Sequence, residues 1–128
     1  MKMCVVVTGC RGSVGKFISD SLHGLGYKVV GFDRIDADQD DKIDYTYKKL
    51  DLANPKETET AFFELQNLNI HPNILINCAG MIHNELLFDL FSEEKKHNVE
   101  TWNTVISSNL TSTFIASSCF VEYLVNSR

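Results

Sequence analysis

Three glycines separate a short apolar run from an amphipathic segment near the start of the chain. The run at 3–7 is continuous, as is typical of a strand buried on both faces of a parallel sheet. Gly9, Gly12 and Gly15 follow, and apolar residues then recur at helical spacing over 13–25. Glycines here permit a tight turn and a close backbone approach to phosphate, to which the helix N-terminus offers unpaired N–H groups. The pattern predicts a strand, a phosphate-binding loop and a helix.

The rest of the chain predicts alternating strands and helices. Asn54, Pro55 and Glu57 have the residue types of a helix N-cap, first position and third position. The helix that they begin extends to about position 68, and its predicted inner side comprises Ala61, Phe62, Leu65 and Leu68. Further strands are predicted at 29–32, 45–50 and 74–76, and a last helix at about 98–125. This order predicts a doubly wound α/β fold with a parallel sheet of strand order 3-2-1-4.

Composition excludes several classes of protein. The chain has 128 residues, a size that fits one domain. Its net charge of −5 and scattered basic residues argue against nucleic-acid binding. The four cysteines lack CxxC spacing and are expected to be reduced thiols. The N-terminal apolar run is too short for a signal peptide or a membrane span, so we expect a cytoplasmic protein without membrane contact.

Candidate metal ligands show no recognisable spacing. The acidic segment 34–44 lacks the glycine and distal glutamate of a calcium loop, and we interpret it as a solvated loop. His23, His71 and His97 have no ligand spacing, and His83 is interpreted as a surface loop residue. The sequence therefore predicts no metal site.

Asp33 ends the second predicted strand, where an acidic side chain can accept hydrogen bonds from both ribose hydroxyls of an adenosine. The same carboxylate would repel a 2′-phosphate, so NAD is the preferred cofactor. Arg34 directly follows Asp33 and Arg11 lies in the glycine loop, where either could meet an extra phosphate. NADP therefore stays possible.

Four segments in order resemble the short-chain dehydrogenase/reductase family over essentially the whole chain. They are the Thr8-Gly9 loop, the pair Asp51-Leu52, the motif Asn77-Cys78-Ala79-Gly80, and the helix around Asn109. Two positions depart from the family pattern. Ser13 stands where most short members have the second glycine, and the Gly12 spacing is closer to the epimerase-like branch. Cys78 replaces the second asparagine of the family's Asn-Asn-Ala-Gly motif.

The resemblance implies a Rossmann-like fold and hydride transfer between NAD(P) and a small-molecule carbonyl or alcohol. Asn109 would belong to the catalytic network, while the family's catalytic Ser and Tyr-x-x-x-Lys are expected beyond Arg128. Residues 1–128 would then be an NAD(P)-binding domain that is catalytically incomplete. The implied cofactor-binding residues are Thr8, Gly9, Arg11, Gly12, Ser13, Val14, Gly15, Asp33, Arg34, Asp51, Leu52, Asn77, Ala79 and Gly80.

Two other functions remain open from the sequence. One is a non-catalytic module for nucleotide binding or assembly, and the other is a fragment of a nucleotide-sugar epimerase or dehydratase.

The last predicted helix is apolar on more than one side. Val105, Ile106, Leu110, Phe114 and Val121 form one stripe, and Ile115, Cys119, Tyr123 and Leu124 form another. A helix with this pattern is buried on two faces. We expect one face to cover the sheet and the other to form a homo-oligomer interface.

Overall fold

A four-stranded parallel sheet forms the centre of the protein in a computed structural model that describes residues 3–36 and 43–127. The strand order β3-β2-β1-β4 confirms the predicted topology. Much of the expected acidic loop, at 37–42, lies outside the described residues. The elements are β1 (Cys4–Thr8), α1 (Ser13–Gly24), β2 (Lys28–Asp33), β3 (Thr46–Lys49), α2 (Pro55–Asn67), β4 (Ile74–Asn77), α3 (Val99–Ile106) and α4 (Ser112–Asn126).

The two faces of the sheet carry separate apolar clusters. Strand β1 pairs with β2 on one side and β4 on the other, and all five of its residues are buried. Side chains alternate across a strand, so Val6 and Phe32 pack with α2 and α4, while Val5 and Val7 pack with α1. The result is a three-layer arrangement in which β1 lies at the centre.

Helix α2 begins as the sequence predicts. The Asn54 side chain accepts hydrogen bonds from the N–H groups of Lys56 and Glu57, and Pro55 is the first helical residue. Ala61, Phe62 and Leu65 are buried, but the prediction for Leu68 is wrong because its exposed fraction is 59%. Helix α2 ends at Asn67, and Leu68 is its C-cap residue. Leu68 therefore lies outside the regular helical turn that would have placed its side chain beside Leu65.

The last predicted helix is interrupted by one π-helical turn. This turn covers Ser107–Thr111 between α3 and α4. In α4, Ile115, Cys119 and Tyr123 are buried against α2 and the sheet. Several apolar side chains on the other side are exposed: Trp102, Leu110, Phe114, Val121 and Val125. Only one of the two expected faces is thus covered by the chain itself.

Within the described residues, no helix has both the length and the hydropathy needed to cross a membrane.

Candidate functional site

The carboxyl ends of the strands open into a cleft with a volume of about 160 Å³. In open parallel sheets, ligands bind at this end of the strands, where the strand order reverses. The predicted residues that line the cleft are Gly9, Gly12, Asp33, Arg34, Asp51, Leu52, Ala79 and Gly80. Predicted residues from the glycine loop, the end of β2, the Asp51-Leu52 pair and the segment after β4 therefore lie together in one cleft.

The glycine loop is packed too closely for side chains at two of its positions. Gly9 has φ of 66°, and a Cβ there would lie 2.7 Å from the backbone of Ala79. A Cβ on Gly15 would lie 2.1 Å from the Gly9 carbonyl oxygen. Gly12 is less confined, because its Cβ would be 3.4 Å from that oxygen. The loop therefore needs glycine at positions 9 and 15 for its own geometry.

The N-terminus of α1 faces the loop without a side-chain cap. Gly12 is the N-cap residue and has no side chain to accept a hydrogen bond from the first turn. Ser13 and Val14 are exposed in this turn, and it contains no acidic residue. Uncapped N–H groups and the positive end of the helix dipole favour an anion. These features fit the pyrophosphate of a dinucleotide.

Asp33 closes the cleft beside the glycine loop and is itself buried. One carboxylate oxygen accepts a 2.8 Å hydrogen bond from the Arg11 N–H. The other accepts bonds from the N–H groups of Arg34 and Ile35 at 2.7 and 3.3 Å. Asp33 thus fixes the chain on both sides of the cleft. The oxygen that accepts from Arg11 has a second lone-pair direction, which leaves Asp33 able to accept a ligand hydroxyl as well.

Neither Thr8 nor Asn77 lines the cleft: Thr8 is buried, and Asn77 is exposed at the end of β4. The buried Thr8 hydroxyl accepts hydrogen bonds from the N–H groups of Cys78 and Ala79 at 3.1 and 3.2 Å. The Asn77 amide donates to the Ser117 hydroxyl on α4 at 3.1 Å. Both side chains hold the turn after β4 in place, an arrangement that their sequence motifs do not reveal.

Asn109 joins the π-helical turn to the segment after β4. Its amide nitrogen donates to the carbonyl oxygens of Met81 and Val105 at 2.9 and 2.8 Å. Its amide oxygen accepts from the Met81 N–H at 3.3 Å. A Cβ on Gly80 would lie 2.5 Å from that amide oxygen, so glycine permits the contact. π-helical turns are often found at functional sites. This turn places the Asn109 side chain against the backbone of Met81, in the segment after β4.

Several residues that line the cleft are not among those that the sequence predicts. Ser108 and Ser112 lie one turn apart and reach it from the last helix, and Ile35, Leu50 and Ala53 complete its wall. The serines are the ones a sequence pattern could have found, because their spacing of four places them on one helix face.

The cysteines near the cleft are poor nucleophiles. Burial, with the nearby Asp33 carboxylate, raises the pKa of the Cys10 thiol to about 12. Burial also raises the pKa of Cys78. Thiols react as thiolates, so these shifts favour a packing role.

The structure brings together two histidines, His83 and His97, for which the sequence predicts no common site. The imidazoles of His83 and His97 and the Glu85 carboxylate lie together, and one candidate ligand atom from each is within 4.8 Å of the others. Spacing along the chain had suggested no such cluster because His83 and His97 are far apart in sequence.

The chain matches a known protein family over nearly all of its length. The sequence profile of the short chain dehydrogenase family matches residues 3–128. The chain belongs to the short chain dehydrogenase family. It is 29% identical to the 3-oxoacyl-(acyl-carrier-protein) reductase FabG of Buchnera aphidicola, with 99% of this chain and 51% of the reductase covered. It is 32% identical to the 2-dehydro-3-deoxy-D-gluconate 5-dehydrogenase of Bacillus subtilis, with 86% and 43% covered.

Solved structures of dehydrogenases have the same fold. A Leptospira borgpetersenii short chain dehydrogenase with bound NAD+ matches with a TM-score of 0.75 and 29% identity over 94% of this chain and 45% of that one. The aldohexose dehydrogenase of Thermoplasma acidophilum matches with a TM-score of 0.78 at 21% identity, covering 99% and 46%. The chain spans about half the length of the short chain dehydrogenases that it matches.

Proposed function

We propose that this chain is the cofactor-binding part of an NAD-dependent oxidoreductase that acts on a small-molecule carbonyl or alcohol. The observation that carries the proposal is the cleft where the uncapped N-terminus of α1, Asp33 and Cys78–Gly80 converge. When bound, the nicotinamide cofactor supplies the hydride donor or acceptor. Family membership and the NAD+ bound by the Leptospira relative support the same cofactor class.

Each part of the cleft then has a role in binding. The first turn of α1 and the glycine backbone hold the pyrophosphate, and Asp33 accepts the hydroxyls of the adenosine ribose. Asp51 and Leu52 contact the adenine, and Ala79 and Gly80 lie against the centre of the cofactor. NAD is preferred because a 2′-phosphate beside Asp33 would bring two negative charges together. Arg34, exposed at the rim, keeps NADP as the alternative.

We also propose that the 128-residue chain does not turn over by itself. The family's Tyr-x-x-x-Lys follows the asparagine helix, whereas here Tyr123 is followed four positions later by Ser127. The 128-residue chain should bind NAD+ yet give no change in NADH absorbance with a panel of aldehydes, ketones and secondary alcohols. Turnover with any of them would contradict this part of the proposal.

The substitution Asp33→Asn tests the cofactor assignment. The amide side chain would lack the negative charge and one acceptor oxygen, leaving an N–H group of the loop unpaired. Loss of a hydrogen bond to a charged group costs about 1.5–3 kcal/mol, so we expect NAD+ affinity to fall about tenfold or more. Titration calorimetry of the unmodified chain and of the Asp33→Asn variant, each with NAD+ and with NADP+, measures these affinities.

The matched control for this experiment is Asp20→Asn, which removes an exposed carboxylate paired with Lys16. It should leave NAD+ affinity unchanged, and circular dichroism should show that both variants are folded. Equal affinity of the unmodified chain for NAD+ and NADP+ would overturn the preference for NAD. A folded D33N variant with undiminished NAD+ affinity would overturn the role of Asp33.

A non-catalytic assembly module is the second candidate function. The observation that favours it is the exposed apolar side of the last helix, which includes Leu110, Phe114 and Val121. We propose that this side mediates self-association between copies of the chain. A monomer at micromolar concentration would count against this proposal without affecting the cofactor assignment.

A further inference from the structure

The β4–α3 loop (residues 78–98) folds back on itself. Leu87 and His97 are joined by a backbone hydrogen bond of 3.1 Å, and Asp89 and Lys95 by one of 2.7 Å. Between them, Phe88 and Lys96 form an antiparallel bridge. This pairing brings the two ends of the loop together, which places His97 beside residues that follow Gly80.

Two imidazoles and one carboxylate converge at the base of this fold. Nε2 of His83 lies 3.0 Å from a Glu85 carboxylate oxygen, and Nε2 of His97 lies 3.6 Å from the same oxygen. Ligand atoms bound to tetrahedral zinc at about 2.0–2.1 Å are about 3.3 Å apart. The two separations from Glu85 bracket that value, and all three ligand atoms lie within 4.8 Å of one another.

The hydrogen bonding of His97 leaves a lone pair facing Glu85. Nδ1 of His97 lies 2.9 Å from the Asn98 carbonyl oxygen, which can only accept. In the neutral ring the proton is therefore on Nδ1, and Nε2 presents its lone pair to a carboxylate oxygen. Two electron-rich atoms so placed favour a cation between them. A histidine whose second nitrogen donates to a backbone carbonyl is also the usual arrangement around zinc.

The surroundings hold the cluster in position. Asn98 is the N-cap of α3, where its side chain accepts hydrogen bonds from Glu100 and Thr101. Trp102 packs edge to face with His97 at a ring distance of 6.3 Å, and the His97 side chain is only 18% exposed. Leu87, Val99 and Val105 line the same pocket.

We propose that His83, Glu85 and His97 form a zinc site that fastens the two ends of the β4–α3 loop to each other. The ligands are Nε2 of each histidine and the Glu85 carboxylate, and water completes the coordination. Imidazole ligands favour Zn²⁺ and similar transition metals over Mg²⁺ and Ca²⁺, which prefer oxygen ligands. The site is separate from the cofactor cleft, because none of its ligands lines that cleft.

Metal titration of the chelator-treated chain tests the site. We expect one equivalent of Zn²⁺ to bind in competition with a chromophoric chelator, and Mg²⁺ not to compete. Substitutions H83A, E85Q and H97A should each lower Zn²⁺ affinity about tenfold or more, since one ligand is lost. His23→Ala removes an exposed histidine outside the site, and this variant should bind Zn²⁺ with the affinity of the unmodified chain.

Cobalt distinguishes this site from binding at a cysteine. Co²⁺ at nitrogen and oxygen ligands gives visible d–d bands without the near-ultraviolet charge-transfer band of a thiolate. A thiolate band would overturn the proposal, as would unchanged Zn²⁺ affinity in E85Q and H97A or no stoichiometric binding. These measurements need no dinucleotide, so their result is independent of the proposed oxidoreductase function.

Discussion

Gly15 packs directly against the turn that precedes it. A Cβ at this position would lie 2.1 Å from the Gly9 carbonyl oxygen and 2.7 Å from its carbon. Both contacts are with backbone atoms, which cannot rotate away as a flexible side chain would. The residue therefore fixes the distance between the first turn of α1 and the end of β1.

Substitution of Gly15 by Ala should destabilise the protein by about 1–3 kcal/mol, the usual cost of overpacking. It should also weaken NAD+ binding, because the helix N-terminus must move away from the loop. Urea denaturation measures the first effect and calorimetry the second. Gly24→Ala is the matched control, since a Cβ there meets nothing within 4 Å and its stability should stay within about 1 kcal/mol of the unmodified chain. Equal stabilities of the two variants would contradict the packing argument.

Asp33 and Thr8 show how one residue can serve the fold and the cleft together. Asp33 accepts three backbone N–H groups, and Thr8 accepts two from the turn after β4. The sequence predicts that both lie near a ligand. Thr8 ends a strand before the glycine loop, and Asp33 ends a strand before the acidic segment 34–44. Most of their backbone partners are distant in sequence, so only the folded chain reveals them.

At the scale of elements, the π-helical turn connects the last helix to the sheet edge. Asn109 lies in this turn and makes hydrogen bonds to both backbone groups of Met81. The sequence predicted a helix over this region correctly. A π turn depends on how its side chains fit against a loop, and the helical periodicity did not indicate it.

Substitution of Asn109 by Ala should free the Met81 backbone from the helix. We expect faster amide hydrogen exchange at Met81 and a loss of about 1–2 kcal/mol of stability, since each hydrogen bond contributes about 0.5–1.5 kcal/mol. Exchange measured by NMR resolves this amide. Asn103→Ala changes an exposed asparagine on the preceding helix and should leave Met81 protection as it is. Unchanged amide hydrogen exchange at Met81 in N109A would contradict the proposed role of Asn109 in holding the Met81 backbone.

At the scale of the whole molecule, the exposed apolar residues are unevenly distributed. Leu110, Phe114, Val121 and Val125 form a stripe on the outer side of the last helix, from the π turn along α4. Monomeric soluble proteins rarely expose large contiguous apolar patches. The stripe is therefore the surface through which we propose that a second copy of the chain binds.

Substitution of Phe114 by Lys should shift the chain toward the monomer. Phe114 is 71% exposed, so the change places a charge in the proposed contact without disturbing the core. Sedimentation velocity over a range of concentrations should show weaker association, by about tenfold or more for one buried aromatic side chain. Phe17→Lys alters an equally exposed phenylalanine on α1, across the sheet, and should associate as the unmodified chain does. If both variants associate equally, the interface does not involve the last helix.

The strand order and the residues at the carboxyl end of each strand followed from the sequence alone. Apolar runs, helical periodicity, glycines and helix caps are local signals, and the rules for parallel sheets convert their order into a topology. This is why the sequence alone assigns the glycine loop, Asp33 and the Asn77–Gly80 segment to one edge of the sheet.

Only the tertiary structure decided which side chains of that edge face the cleft and which support it. It buried Thr8 behind the cleft, exposed Leu68 and one side of α4, and joined His83, Glu85 and His97 through the folded loop. Apart from the exposure of Leu68 at the end of α2, these outcomes depend on contacts between residues that are not neighbours in the sequence. Sequence periodicity describes one element at a time and carries no information about such contacts.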